Sequence, residues 1–311
     1  MSTKDKFRLG LDIGGSSIKY GWGNCQQGLQ FFSHKPLTQR SLSCLKETVV
    51  SILEETDRLC GLDSIVAIGI GSPGTIDSST GKIAGVNPNL PFWVGHDPAE
   101  LIPSSLSLPV FCDNDANLMC LGEAWLRGSR GLIVGVTIGS GIGCGFVSDG
   151  AVYHGAHGFA LELGHVIHIP QGELCSCGRR GCVEAYASVD GIRRRILRLK
   201  EIRQDCGPEP SLIQIMQRSD NSLVSRIIDE GMHALALGLA NLCVILDPDT
   251  VVIGGGAMDG GLYDWDKFQD LFQSELPLAN RPRTSLEKAL EGNRAGVLGA
   301  VVLASQSDVF A

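Results

Sequence analysis

Glu162-Leu-Gly-His165 is followed ten residues on by Cys175-Ser-Cys177 and then by Cys182. Thiolate and neutral imidazole are the ligands zinc prefers, and four of them close a tetrahedral site. Gly178 and Gly181 supply turns tight enough to aim three sulfurs at one point. Free cysteines are otherwise among the most buried residues. Two thiols one residue apart, beside Arg179 and Arg180, do not read as a core strand. A disulfide is disfavoured, because the N-terminus Met1-Ser-Thr-Lys-Asp-Lys6 has no apolar export segment. The pattern predicts a structural zinc held by His165, Cys175, Cys177 and Cys182 in a reduced, cytoplasmic protein.

Two glycine-rich turns offer a different chemistry. Asp12-Ile13 ends an apolar stretch and leads into Gly14-Gly15-Ser16-Ser17, then Ile18-Lys19. Thr137-Ile138 leads likewise into Gly139-Ser140-Gly141-Ile142-Gly143. Glycine turns after strands expose backbone N–H groups that can cradle phosphate oxygens. One such turn is weak evidence; two at the same relative place are stronger. Neither is a Walker A loop, and neither leads into a helix as a dinucleotide fingerprint does. Asp12 either orients Mg²⁺ beside phosphates or caps the turn's own N–H groups.

Asp113-Asn114-Asp115 places two carboxylates and an amide where a strand gives way to a helix. These residue types cap helices, and a carboxylate there can also take a proton from a hydroxyl. Both readings stay open on the sequence. Glu162 and Glu184 flank the cysteine loop and could accept hydrogen bonds from vicinal hydroxyls. Asn89-Leu-Pro-Phe-Trp93 could give an amide and an aromatic wall, or simply a loop anchored by its Trp.

The elements that must hold these groups follow from periodicity. Phe7–Ile13 and Ile18–Trp22 read as a hairpin. Residues 43–60 have helical spacing, and Ile65–Ile70 reads as a buried strand closed by Gly71-Ser-Pro-Gly74. Residues 75–109 read as irregular. Val110–Cys112 is a strand and a helix runs on to about Arg127. Leu132–Ile138 and Cys144–Val147 repeat the opening hairpin, as a duplicated nucleotide-binding fold would. Residues 222–245 form a long helix, Val251–Ile253 is a strand closed by Gly254-Gly255-Gly256, and 295–304 is helical. Alternating strands and helices make the class α/β.

The chain has 311 residues, 43% hydrophobic, so it is not disordered and is large enough for two lobes. Its net charge of −8 argues against general nucleic-acid binding. The basic run Arg193–Lys200 interleaves apolar residues at helical spacing and reads as a solvated amphipathic helix. No run of 18 apolar residues predicts a membrane span. Of eleven cysteines, eight fall outside the zinc pattern and read as core packing.

Leu11-Asp-Ile-Gly-Gly-Ser-Ser-Ile-Lys19 resembles the first phosphate motif of the ROK family of sugar kinases and sugar-responsive repressors, with Ser16 where that family usually has Thr. Gly71-Ser-Pro-Gly74 and Asn89-Leu-Pro are similar to its sugar-lobe motifs. Asp113-Asn-Asp-Ala-Asn117 with Leu121-Gly-Glu123 resembles its catalytic helix start. The Glu162–Cys182 pattern resembles its zinc signature at every ligand, and Glu184 follows in place.

The resemblance implies a two-lobed, actin-like and ribonuclease-H-like ATPase fold with a cleft. The small lobe would span 1–115, completed by a C-terminal helix at about 296–311, and the large lobe 116–295. It implies that Asn89, Asn114, Asp115, Glu162, His165 and Glu184 face a hexose, with Gly71 beside them. It implies that Asp115 is the base and that ATP with Mg²⁺ lies between the glycine turns, near Gly254-Gly255-Gly256. His165 would use one ring nitrogen for zinc and the other for the sugar. The activity implied is γ-phosphoryl transfer from ATP to a hexose 6-hydroxyl, with glucose ahead of N-acetylmannosamine, in a homodimer. A repressor would need an added N-terminal DNA-binding domain, and the first phosphate strand begins near residue 7, so no nucleic-acid or membrane partner is expected. The retained Asp12, Asp115 and turns argue against a non-catalytic sugar sensor.

Overall fold

A computed structural model of the chain describes residues 6–77, 80–84, 90–128, 130–199, 210–218, 222–281 and 283–305. The chain opens with β1 (Phe7–Ile13), β2 (Ser17–Asn24) and β3 (Gly28–Pro36). Helix α1 (Leu42–Cys60) follows, capped by Ser41, whose hydroxyl accepts the Cys44 N–H. It buries Leu45, Val49, Ile52 and Leu53, the helical spacing read from the sequence. Next come β4 (Ile65–Ser72), the short β5 (Thr75–Ile76) and β6 (Ile83–Ala84), then β7 (Val110–Asn114) and α2 (Asp115–Leu126). Five of these strands form a sheet in the order β3-β2-β1-β4-β7. β1 pairs antiparallel with β2 and parallel with β4, and β4 pairs parallel with β7.

The pattern then recurs. β8 (Leu132–Ile138), β9 (Ile142–Ser148), β10 (Ala151–Val152), β11 (Thr250–Gly254) and β12 (Ser285–Lys288) form a sheet ordered β10-β9-β8-β11-β12. Read by position along the chain, both sheets run third, second, first, fourth, fifth. That is the duplication expected from the two glycine turns. Between β10 and β11 lie α3 (Val183–Ala187), α4 (Val189–Ile196), α5 (Leu212–Arg218) and α6 (Ser222–Leu246). Only Arg193–Ile196 of the basic run lies in α4, which buries Ile192 and Ile196; Leu197–Leu199 leave the helix, and Lys200 lies outside the described residues. Helix α6 is long and apolar enough to cross a membrane by length and composition, but half of its most apolar window is buried within the protein, as in a core helix. Helices α7 (Gly256–Asp259), α8 (Trp265–Glu275) and α9 (Ala295–Ser305) complete the described elements.

The chain divides into two compact units. Unit 1 holds residues 1–131, 145–161 and 293–311; unit 2 holds 132–144 and 162–292. The boundary expected at residue 115 therefore moves, since α2 belongs wholly to unit 1. The cause is close packing of α2 on α9. A Cβ on Gly299 would fall 1.8 Å from the Leu118 carbonyl oxygen, and one on Gly122 would fall 2.2 Å from that of Ala295. Helix α9 is apolar on every side and buried between α2 and the first sheet. The segment read as irregular, 75–109, contains β5, β6 and two single-turn helices at Pro91–Trp93 and Pro98–Leu101. Trp93 is fully buried and its indole N–H donates to Ser72 Oγ at 2.8 Å. Asn89 lies outside the described residues. Among the cysteines read as packing, Cys44, Cys120, Cys144 and Cys243 are buried, while Cys25 is exposed.

Candidate functional site

In unit 1 the strand register lines up the candidate carboxylates. Asp12 pairs with Gly71 across β1 and β4, and Gly71 pairs with Asp113 across β4 and β7. All three sit at the carboxyl ends of parallel strands, where ligands bind in open α/β sheets. Asp12 is nearly buried and its Oδ2 lies 3.3 Å from Lys19 Nζ on the neighbouring strand. Burial raises its pKa against the pull of Lys19. The Gly14-to-Ser17 turn closes with the Gly14 N–H on the Ser17 carbonyl at 2.9 Å. Gly15, Ser16 and Ser17 thus sit between Asp12 and Lys19 on one tight hairpin.

Asp115 is the first residue of α2. Burial, and next the charge of Asp12, push its carboxyl up to about 7. A carboxyl in that range can hold or release a proton near neutrality, the requirement for a general base. The cap of α2 is Asn114, whose Oδ1 accepts from the Ala116 and Asn117 N–H groups at 2.9 and 3.3 Å, while Nδ2 donates to the Gly74 carbonyl at 3.1 Å. Asp113 is buried and braces the same turn, taking the Asn117 Nδ2 at 2.8 Å. The three neighbouring polar residues therefore differ in geometry. Asn114 caps, Asp113 braces, and Asp115 Oδ1 takes the Ala116 N–H at 2.9 Å.

Unit 2 gathers the second set. The Gly139 N–H bonds to the Gly141 carbonyl at 3.0 Å, closing the turn between β8 and β9 on which Ser140 also lies, and Gly143 follows as the second residue of β9. Gly254 pairs with Thr137, so the Gly254-Gly255-Gly256 turn stands beside that of Gly139–Gly141. Gly255 has φ 99°, and a Cβ there would fall 2.5 Å from the Ile138 carbonyl oxygen.

The cysteine loop closes as its spacing predicts. Ligand atoms of His165, Cys175, Cys177 and Cys182 all lie within 4.8 Å of one another. Cys177 Sγ and Cys182 Sγ are 3.8 Å apart, and Cys175 Sγ is 3.6 Å from His165 Nδ1. Tetrahedral zinc with sulfur at about 2.3 Å sets the sulfurs about 3.8 Å from each other, so the arrangement fits that ion. Burial first, then the neighbouring Cys175 and Cys177, push the Cys182 thiol up to about 12. Gly181 has φ 87°, and a Cβ there would lie 1.7 Å from the Ile169 carbonyl oxygen, so only glycine closes the loop. The other ring nitrogen of His165 lies 4.0 Å from Glu162 Oε2, and both side chains keep solvent exposure.

Glu184 does more than its sequence position suggests. Its Oε2 accepts the Ile142 N–H at 3.1 Å, and its Oε1 accepts the Ser176 hydroxyl at 2.6 Å. One carboxylate thus ties the second glycine turn to the cysteine loop. Sequence reasoning missed Ser176, although it lies between two ligand cysteines. It also missed Tyr186, whose hydroxyl accepts the Glu173 N–H at 2.9 Å, and His154, whose ring meets Asp113. A polar residue between two metal ligands was the one local signal available. Neither Tyr186 nor His154 had any.

The family model described as ROK family matches residues 8–307. A glucokinase of Halalkalibacterium halodurans is 30% identical over 98% of this chain and 96% of its own length. The crystal structure of a ROK hexokinase from Thermus thermophilus superimposes with a TM-score of 0.81 at 28% identity, covering 98% of this chain and all of that one. A ROK family glucokinase from Streptomyces griseus, solved in complex with glucose and AMPPNP, gives 0.80 at 25% identity, covering 96% of this chain and 99% of that one.

Proposed function

The chain belongs to the ROK family, and we propose from that membership and from its partly buried carboxylates that it is an ATP-dependent hexose kinase acting on the 6-hydroxyl of glucose. The observation that carries the reading is Asp115, a partly buried carboxyl raised to about 7 at the first position of a helix. Ionised Asp115 accepts the hydroxyl proton as the sugar oxygen bonds to the γ-phosphorus. The bond from that phosphorus to the bridging oxygen of ADP breaks in line, and the proton leaves Asp115 for solvent after product release. Catalysis of this class is mostly positioning and charge neutralisation.

In unit 1 the Gly14–Ser17 turn stands beside Asp12 and Lys19, and in unit 2 the Gly139–Gly141 turn stands beside Thr137 and Gly254–Gly256. Their backbone N–H groups suit phosphate oxygens. Asp12 is an oxygen donor of the kind Mg²⁺ takes, directly or through its waters. The ion, when bound with ATP, neutralises phosphate charge. Asn114, Asp115, Glu162, His165 and Glu184 are assigned to the hexose, with Gly71 keeping the strand clear beside Asp12. Asn89 is kept in that set on its motif alone. His165, Cys175, Cys177 and Cys182 would hold zinc, which would fix the imidazole and leave Nε2 for a sugar hydroxyl. Four protein ligands leave it no open position for bond making.

Supporting the choice of glucose are the glucokinase relative and the glucose-bound neighbour, each similar along nearly its whole length. A coupled assay of ADP release over glucose, mannose, fructose, allose, N-acetylglucosamine and N-acetylmannosamine tests it. Glucose is expected to give the highest kcat/KM. An acetylated amino sugar surpassing it by tenfold would replace glucose in the reading and keep the kinase.

A further inference from the structure

We infer that His154 is a positioning residue for phosphoryl transfer: bonded to Asp113, its ring fixes the first turn of α2, from which Asp115 works. The inference rests on the reading of Asp115 as the base. His154 follows β10 in unit 1, and its Nε2 lies 2.7 Å from Asp113 Oδ2. The other oxygen, Asp113 Oδ1, accepts the Asn114 N–H at 2.7 Å and Asn117 Nδ2 at 2.8 Å. Each oxygen of this buried carboxylate is thus held by protein, and its ion-pair partner is His154. A buried carboxylate oxygen that loses its hydrogen-bond donor is left unsatisfied, which is strongly disfavoured. The backbone that carries the ring is held at Tyr153 and at His154 itself. Tyr153 N–H bonds to the Phe146 carbonyl at 2.8 Å, and Ala160 N–H bonds to the His154 carbonyl at 3.2 Å.

The turn that Asp113 anchors controls the aim of the base. The Ala116 N–H is shared, at 2.9 Å each, by Asn114 Oδ1 and Asp115 Oδ1. The helix cap and the base therefore hang on one donor. When Asp113 lets go of Asn114 and Asn117, that donor shifts and the Asp115 carboxylate shifts with it. Misplacement by about 1 Å can lower turnover by about 10²-fold. His154 is half exposed, so its removal leaves the core filled.

Three variants test this: His154→Ala, His154→Gln and Asp115→Asn. For His154→Ala we expect kcat to fall about tenfold, part of the full misplacement effect, with KM for glucose and ATP little changed. His154→Gln sets a neutral N–H donor near the place of Nε2, so it should recover most of that loss. Amide hydrogen exchange at Ala116 and Asn117 should quicken in His154→Ala and return toward wild type in His154→Gln. Wild-type kcat in His154→Ala together with an inactive Asp115→Asn would overturn the inference alone. So would unchanged exchange at both amides, or a Gln variant no better than Ala. An active Asp115→Asn would instead remove the reading of the base, and the inference with it.

Discussion

Replacing Asp115 by Asn should lower turnover and raise stability, and the two effects should follow pH in a linked way. Asn keeps the size of Asp and can still accept the Ala116 N–H, but it cannot take a proton. Loss of a positioned base costs about 10²–10⁴ in kcat, which is roughly 2.7–5.4 kcal/mol of barrier. KM for glucose should change little. In the native enzyme the carboxyl is raised from 3.8 to about 7. Turnover in the wild type should therefore climb between pH 6 and 8 with a midpoint near 7. A group raised in the folded state favours folding below its unfolded pKa and loses that contribution as pH rises through the folded value. Wild-type stability should fall from about pH 4 to pH 7 for this reason. At 1.36 kcal/mol per pH unit the displacement corresponds to an upper figure of roughly 4 kcal/mol, which Asp12, titrating beside it, reduces. The Asp115→Asn variant should thus melt above the wild type at pH 8 and converge with it near pH 4. Steady-state kinetics from pH 5.5 to 8.5 and melting curves at pH 4 and 8 check both arms. A flat wild-type kcat profile, or a variant keeping more than about one tenth of wild-type turnover, would refute the reasoning.

The purified protein should hold about one zinc per chain. Cys177→Ser should lose the metal and weaken glucose binding, as read by elemental analysis and calorimetry. Gly181→Ala should also lose zinc, since its Cβ would meet the Ile169 carbonyl oxygen, whereas Gly178→Ala, with open space around its φ of 85°, should keep zinc and cost only about 1 kcal/mol in denaturant unfolding. Gly299→Ala should force α9 off α2 and destabilise the fold by about 1–3 kcal/mol or more, visible as a lower denaturation midpoint.

Much of this molecule is legible in its sequence where the signal is local. Both hairpins were readable because a strand, a glycine turn and a strand follow without interruption. The cysteine loop was readable because its four ligands lie within one short segment and zinc imposes their chemistry. Residues 113–115 resisted, since Asp, Asn and Asp cap and catalyse with the same atoms. Only the geometry separates an oxygen accepting two helix N–H groups from one accepting a single one. Long-range partners were invisible. His154 lies 41 residues from Asp113, and Glu184 lies 42 from Ile142. The unit boundary was misplaced for a related reason. The glycines that let α9 touch α2 carry no periodic signal in a helix apolar all round.

The most direct test of the central claim is the chemical identity of the product. Glucose labelled with ¹³C, incubated with ATP and Mg²⁺, should yield one phosphate ester per ADP, placed on C6 by carbon–phosphorus coupling in the NMR spectrum. Wild type should give that species alone, and Asp115→Asn should give almost none in the same time. ADP release that does not depend on any hexose, or a phosphate ester at another carbon, would contradict the account.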